Sequence, residues 1–347
     1  MPDESNFLTH EHLPLSEARW RELNMSVVDV ARRKLVGRRF LDLYGPLGAG
    51  VQTVHNDVYA GTERAAIGIL GEEPIAPVRA AGRQILSIPI LYKDFSLYWR
   101  DLQTTEQFGM PLDLSAAAGA ASFVADREDD MIFNGIADLN LPGLTTVPGR
   151  TVMPLGDWNQ VGAALQSVTV AIERLVETGF YGPYCLVTSP FLYAKLARFV
   201  ENTGVSELGH IRELCTDGVF RSSVLPRDRA VLLSTGPQNF DLAVAQDFRV
   251  AYLGAEQMNH PFRVFECAVL RIKRAQAICT LERRGDSRGD VSKAPASDRA
   301  SGPLAAGTDS TTVGALLGSG TGQLGKQTQL RDQLALMNHH HRACART

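Results

Sequence analysis

The composition of the chain changes once, abruptly, near residue 284. The segment beyond it, GDSRGDVSKAPASDRASGPLAAGTDS onward, is rich in Gly, Ser, Ala, Asp and Pro and contains no Phe, Trp or Tyr. Such a stretch cannot bury enough apolar surface to offset the entropy of ordering its backbone. It is expected to be a flexible low-complexity tail over 285–347, in which QLRDQLALM forms at most a transient helix. The folding problem is thereby confined to residues 1–284, long enough for one large domain or a few smaller ones.

Within that body the apolar pattern switches repeatedly between helical and strand periods. Ser16 stands where an N-cap belongs, and Trp20, Leu23, Val27 and Val30 recur at 3–4 spacing. They predict a helix to about Lys34, ended by Gly37. RFLDLYGPLGAG reads as a short strand entering a Gly/Pro turn. Residues 51–88 are Gly-punctuated and moderately polar, an extended hairpin with little core of its own. DLSAAAGAASFVADREDDMIFN, 113–134, predicts a long helix closed by Gly135, its Ala-rich first half allowing close packing.

A second helix is expected over 159–179, then a buried strand, CLVT. The helix PFLYAKLARFVENTG comes next, opened by Pro190, and then another in ELGHIRELCTDG. Four β-rich runs close the body: AVLLST, FDLAVAQ, FRVAYL and FRVFECAVLRI. Helices and strands interleave without a βαβ rhythm, which favours an α+β fold over a doubly wound sheet. A hairpin that cannot bury itself must bury itself on a neighbour, so an obligate assembly is expected.

Charge and cysteine usage narrow the function. Lys+Arg total 35 against Asp+Glu 38, a formal charge of −3. That balance argues against gripping nucleic acid or an anionic membrane through bulk charge. No apolar run reaches bilayer-spanning length, and MPDESNFLTHEH lacks the basic and apolar regions of a secretory signal. A cytoplasmic location is expected. The five cysteines form no CxxC; Cys185 and Cys267 lie in apolar runs and read as small buried hydrophobes.

Candidate chemistry is thin. GTGQLGK at 320–326 approaches a phosphate loop, but Gln327 replaces the Ser/Thr that would hold Mg²⁺, and too little chain remains after it to build a nucleotide fold. Glu207 and His210 form one ExxH; a carboxylate-bridged di-iron site needs two, so a solvated helix face is expected. Asp126, Glu128, Asp129 and Asp130 are likewise expected on the outer face of the long helix. The His run at 339–341 and the tripeptide Arg288-Gly289-Asp290 carry little weight, and no GxSxG or Cys–His nucleophile arrangement is present. The residues spell no enzyme and no metal site.

Several blocks, taken together at matching spacing over about 1–284, resemble family 1 encapsulin shell proteins. They are LSEARWRELNMSVVDVARRKLVGRRFLDLYGPLG, DREDDMIFNG, TGFYGPYCLVTSPFLYAKLARF, LAVAQDFRVAYLG and FECAVLRIKRAQAICTLE. GAGVQTV, DLSAAAGAA and MNHPFRV look most like the larger, ferritin-loaded myxobacterial type.

The resemblance implies an HK97-like capsid fold. Its expected layout is an N-terminal helix and the start of a P-domain over 1–50, an extension loop over 51–88, and a P-domain with a spine helix over 89–145. An A-domain over 146–244 and closing P-domain strands over 245–284 complete it. It further implies a homo-oligomeric icosahedral shell, a multiple of sixty subunits, holding cargo enzymes that bear a C-terminal targeting peptide. The cargo would be ferritin-like iron-oxidising proteins, serving iron storage, or a dye-decolorising peroxidase; the alternative is a phage-type major capsid protein.

Cargo peptides would dock between the N-terminal helix and strand 247–253, with Val30 and Leu35 on one wall and Phe248, Val250 and Tyr252 on the other. Arg38 and Asp42 would fix peptide polarity. Gly204, Val205 and Ser206 would line a fivefold pore. Some family members hold flavin against a surface Trp; Trp99 lies near that place, but YWRDLQ differs from the pattern, and a packed or hairpin-base Trp with no cofactor is expected. Thr311–Leu317 (TTVGALL) resembles the core of a targeting peptide, although in the family the C-terminus faces outward.

Overall fold

The computed structural model describes residues 14–59, 65–67, 69, 77–199 and 204–283, all within the first of two units, 1–290. In chain order the elements are α1 (Glu17–Lys34), β1 (Leu43–Tyr44), β2 (Thr53–Val58), β3 (Gly82–Ser87), β4 (Ile90–Leu97), α2 (Trp99–Phe108) and α3 (Ser115–Asn134). Then come β5 (Gly135–Ile136), β6 (Leu141–Pro142), β7 (Thr151–Pro154), α4 (Ala163–Glu177), β8 (Tyr184–Thr188), α5 (Pro190–Leu196) and α6 (Glu207–Leu214). Finally there are β9 (Val219–Arg221), β10 (Arg229–Ser234), β11 (Phe240–Tyr252), β12 (His260–Ile272) and β13 (Ile278–Glu282).

Two sheets organise the body. The first has the order β1-β11-β12-β4 and carries α1 and α3; the second has the order β7-β13-β10-β8-β9 and packs with α4, α5 and α6. The long runs FDLAVAQ and FRVAYL are one strand, β11, bent by register shifts at Val244/Gln246 and Gln246/Arg249 instead of broken between them. The boundary expected at 244/245 does not coincide with the sheets. All of β11, from Phe240, lies in the first sheet, whereas β13 returns to pair with β10 and β7 in the second. The elements β4, α2 and β13 do not announce themselves in their apolar periods.

α1 begins where expected, with Ser16 Oγ accepting from Arg19 N–H at 3.4 Å. Its buried stripe is Trp20, Leu23, Val27 and Ala31, which leaves Val30 on the flank, half-buried. Gly37 does not end the helix. Leu35 caps it, and Gly37 opens a short 3₁₀ turn, Gly37–Arg39. Glycine is needed there because a Cβ would lie 2.5 Å from Ile132 Cδ1 of α3.

The hairpin reading of 51–88 holds for its described part. β2 and β3 pair antiparallel from Thr53↔Ser87 to Val58↔Gly82. Leu86 and Ile88 join Ala243, Ala245, Cys267 and Val269 in a small cluster on the side of the first sheet away from α1. Arg271 holds the hairpin there, pairing with Asp241 at 2.7 Å, donating to His55 O at 3.2 Å and lying over the Tyr44 ring. β2 is held farther along as well, Asn56 Nδ2 donating to Ile272 O at 2.9 Å and Tyr59 N–H to Lys273 O at 2.8 Å. Ile85, Val78, Ile67 and Ile69 are exposed.

The helix over 190–204 ends early, at Leu196, and 159–179 is helical only from Ala163 to Glu177. Among the described residues no helix is long and apolar enough to cross a membrane, and no His/Cys/Asp/Glu group could hold a metal ion. Cys185, Cys215, Cys267 and Cys279 are all buried and free. The 285–347 tail, the glycine-rich 320–326 string, Thr311–Leu317, Arg288–Asp290 and His339–His341 lie outside the described residues.

Candidate functional site

The helix α1 lies along the second half of β11, its first turn toward the strand's C-terminal end. Trp20 and Tyr252 both pack on Phe262, at ring-centroid distances of 6.0 and 5.2 Å. At the other end Arg38 Cζ stands 5.4 Å from the Phe248 ring. The four residue steps from Phe248 to Tyr252 span about 14 Å of strand, so these two contacts mark the ends of one seam.

Along that seam the expected wall residues fall into two groups. Leu35, Phe248 and Val250 are buried in the main core, Val250 to 1% exposure. Val30 and Tyr252 pack against the same core but remain half-buried, and they alone among the five present surface to a ligand. Tyr252 is fixed by a 2.9 Å hydrogen bond between its hydroxyl and His260 Nδ1, and its burial raises the phenol.

Arg38 does not offer a free fork to a peptide. Its Nε and Nη2 donate to Glu128 at 2.8 Å each, Nη2 also to Glu266 Oε2 at 2.6 Å, and Nη1 to Asp247 Oδ1 at 2.7 Å. Three carboxylates from α3, β11 and β12 thus hold the guanidinium, which in turn orients Phe248. Asp42 sits apart from the seam, where β1 joins β11: its carbonyl accepts from Leu242 N–H at 3.0 Å.

The acidic run of α3 therefore reads differently from the expected outer face. Glu128 is fully buried, and Asp129 accepts from Val36 and Gly37 N–H at 2.8–3.1 Å, closing the end of α1. Burial raises Asp129 to about 7, against the pull of those donors. The signal was in the spacing: positions 128 and 129 continue the stripe of Val124 and Ala125 one turn on. Glu266 likewise takes an inward place in β12, on the same face of the strand as Val264 and Ala268.

Glu207 of the ExxH is not solvated either. It is buried, and its Oε1 accepts from Leu165 N–H at 3.2 Å, supplying the start of α4 with the acceptor that Gly162 lacks. The pore candidates sit on the strand-like approach to α6. Gly204 has φ +69°, Val205 is exposed, and Ser206 caps α6 by accepting from Gly209 N–H at 3.2 Å. Residues 200–203 of that loop lie outside the described residues. Trp99 opens α2 just after β4 and is 40% exposed, so of the two expected settings it is not the packed one.

Residues 5–269 match the family Linocin_M18, described as encapsulating protein for peroxidase. The chain is 52% identical to the type 1 encapsulin shell protein EncA of Myxococcus xanthus, over 82% of this chain and 98% of that one. It is 45% identical to a diheme-cytochrome–encapsulin shell fusion protein of Kuenenia stuttgartiensis, over 76% of this chain and 72% of that one. Its fold superposes on the virus-like particle of Pyrococcus furiosus with a TM-score of 0.63 at 22% identity, covering 76% of this chain and 99% of the other. The architecture is the α+β, HK97-like capsid fold. The match over residues 5–269 and the identity with EncA lead to one conclusion: this chain is a member of the Linocin_M18 family, the type 1 encapsulin shell proteins.

Proposed function

We propose that the chain builds a closed icosahedral shell in the cytoplasm that takes up a ferritin-like, iron-oxidising cargo through a C-terminal targeting peptide. The observation that carries the docking part is the half-buried pair Val30 and Tyr252, the apolar side chains left open along the α1–β11 seam. The ferritin-like cargo rests on the resemblance of GAGVQTV and DLSAAAGAA to the ferritin-loaded type and on the likeness to EncA. Leu35, Phe248 and Val250 form the floor beneath the peptide, and Arg38 positions Phe248. Gly204, Val205 and Ser206 line the opening at the fivefold axis, where small neutral groups admit hydrated cations. A peroxidase cargo is the second reading, favoured by the family's own description.

Cargo loading of Tyr252→Ala and Val30→Asp shells is the test. Truncating or charging an apolar contact at a peptide groove costs on the order of 1–3 kcal/mol. Cargo per shell should fall roughly five-fold or more, with shell yield unchanged. Undiminished loading in both variants places the groove elsewhere. Iron in the retained cargo supports the ferritin-like reading, and haem absorbance supports the peroxidase.

A further inference from the structure

Beneath the α1–β11 seam, two buried carboxyl groups share one guanidinium. Glu128 and Glu266 have no exposed side-chain surface, and the positive charge among them is Arg38. Asp247, with two-fifths of its side chain exposed, takes a third edge of the same guanidinium. Water cannot compensate a second buried negative charge there, and an isolated buried carboxylate is far too costly to persist. Glu266 Oε1 has no hydrogen-bond partner, and the Oε2 atoms of Glu128 and Glu266 both accept from the one Arg38 Nη2, at 2.8 and 2.6 Å. Two carboxylates crowded onto one nitrogen repel unless one carries a proton.

We propose that Glu128 and Glu266 form a proton-binding site, one proton held between the two carboxyl groups, that locks the turn after α1 onto α3 and β12. Glu128 receives Arg38 through both Nε and Nη2, whereas Glu266 keeps one oxygen, Oε1, without a partner and is the group that carries the proton. Burial and the neighbouring Glu128 hold the Glu266 carboxyl well above its ordinary range, in keeping with this assignment.

The other charged groups of the junction are engaged elsewhere. Asp129 faces the Val36 and Gly37 amides, and Lys34 of α1 pairs with Asp126. On β11, Arg249 is exposed, and Asp247 also accepts from Phe248 N–H. On β4, Leu91 pairs with Glu266, and the neighbouring Tyr92 and Lys93 are exposed, Lys93 over Phe123. Cys267 points to the opposite face of the sheet.

The linkage to pH has a definite sign. A carboxyl that keeps its proton in the folded chain and loses it in the unfolded one favours folding at low pH, and that advantage fades as pH rises. The junction ties the end of α1 to the sheet, so alkaline conditions should loosen this part of the shell wall first.

The experiment uses the full chain and Glu266→Gln, whose neutral amide can still donate to Glu128. Thermal unfolding is followed from about pH 5 to about pH 9. The wild-type midpoint should fall more steeply with pH, the two profiles separating by up to about tenfold in unfolding constant per pH unit. Superimposable profiles overturn the proposal. The second measurement holds even where Glu266→Gln fails to assemble. Infrared spectra of the wild type at neutral pH should show a protonated carboxyl C=O band, shifted in D₂O and retained in Asp129→Asn. Absence of that band at neutral pH, or its loss in Asp129→Asn, overturns the proposal.

Discussion

Single atoms decide the tightest point of the molecule. A Cβ on residue 37 would meet Ile132 at 2.5 Å, while Gly37 N–H donates to Asp129 at 2.8 Å. Gly37→Ala is therefore expected to destabilise the chain by about 1–3 kcal/mol, the usual cost of overpacking. Denaturant unfolding should show it as a lower midpoint with unchanged slope, whereas an unchanged midpoint would mean that α3 yields freely. The pore reading is also decided by a single residue. Val205 folds back toward the start of α6, close enough that a Cβ on Gly209 would meet it at 2.8 Å, and still keeps an exposed face. On the proposed pore reading, Val205→Lys adds a ring of positive charge at the opening that cations would use. Iron uptake by loaded shells should slow several-fold, and an unchanged rate would move the entry route to another axis.

The elements show how much a linear reading can see. The helices α1, with its Ser16 cap and apolar stripe, and α3, Ala-rich and closed by Gly135, were legible because these signals are local. The hairpin was legible from what it lacked, an apolar face able to bury itself. Long-range facts were harder to see. β11 reads as two runs because its bulges interrupt the alternation, and β13 reads as a continuation of β12 because nothing local says that it changes sheet. The polar core was the principal miss. Acidic residues read as surface by type, although the helical spacing of Glu128 and Asp129 already places them inward. Of the seam, Val30 and Tyr252 keep open surface, whereas Leu35, Phe248 and Val250 become its floor: apolar type alone does not distinguish wall from core. The hairpin also carries the element-scale prediction. Deleting 60–80 removes exposed apolar surface and leaves the anchored base with Leu86 and Ile88 in place. The product should remain soluble and folded but fail to close shells, as seen by size-exclusion chromatography. Normal particles from that deletion would show that the hairpin is not the link between subunits.

At the scale of the whole chain, family membership makes this a shell protein, and the hairpin with exposed apolar residues fits a part that pairs with neighbours. On the proposed reading, the α1–β11 seam lies on the face of every subunit that meets the contents. Electron microscopy of the purified full chain expressed with its cargo tests this most directly. Hollow, uniform icosahedral particles are expected, a multiple of sixty subunits, with cargo density lying along the α1–β11 seam on the inner wall. Monomers, open sheets or filaments, or closed shells whose α1 helices face outward, would contradict it.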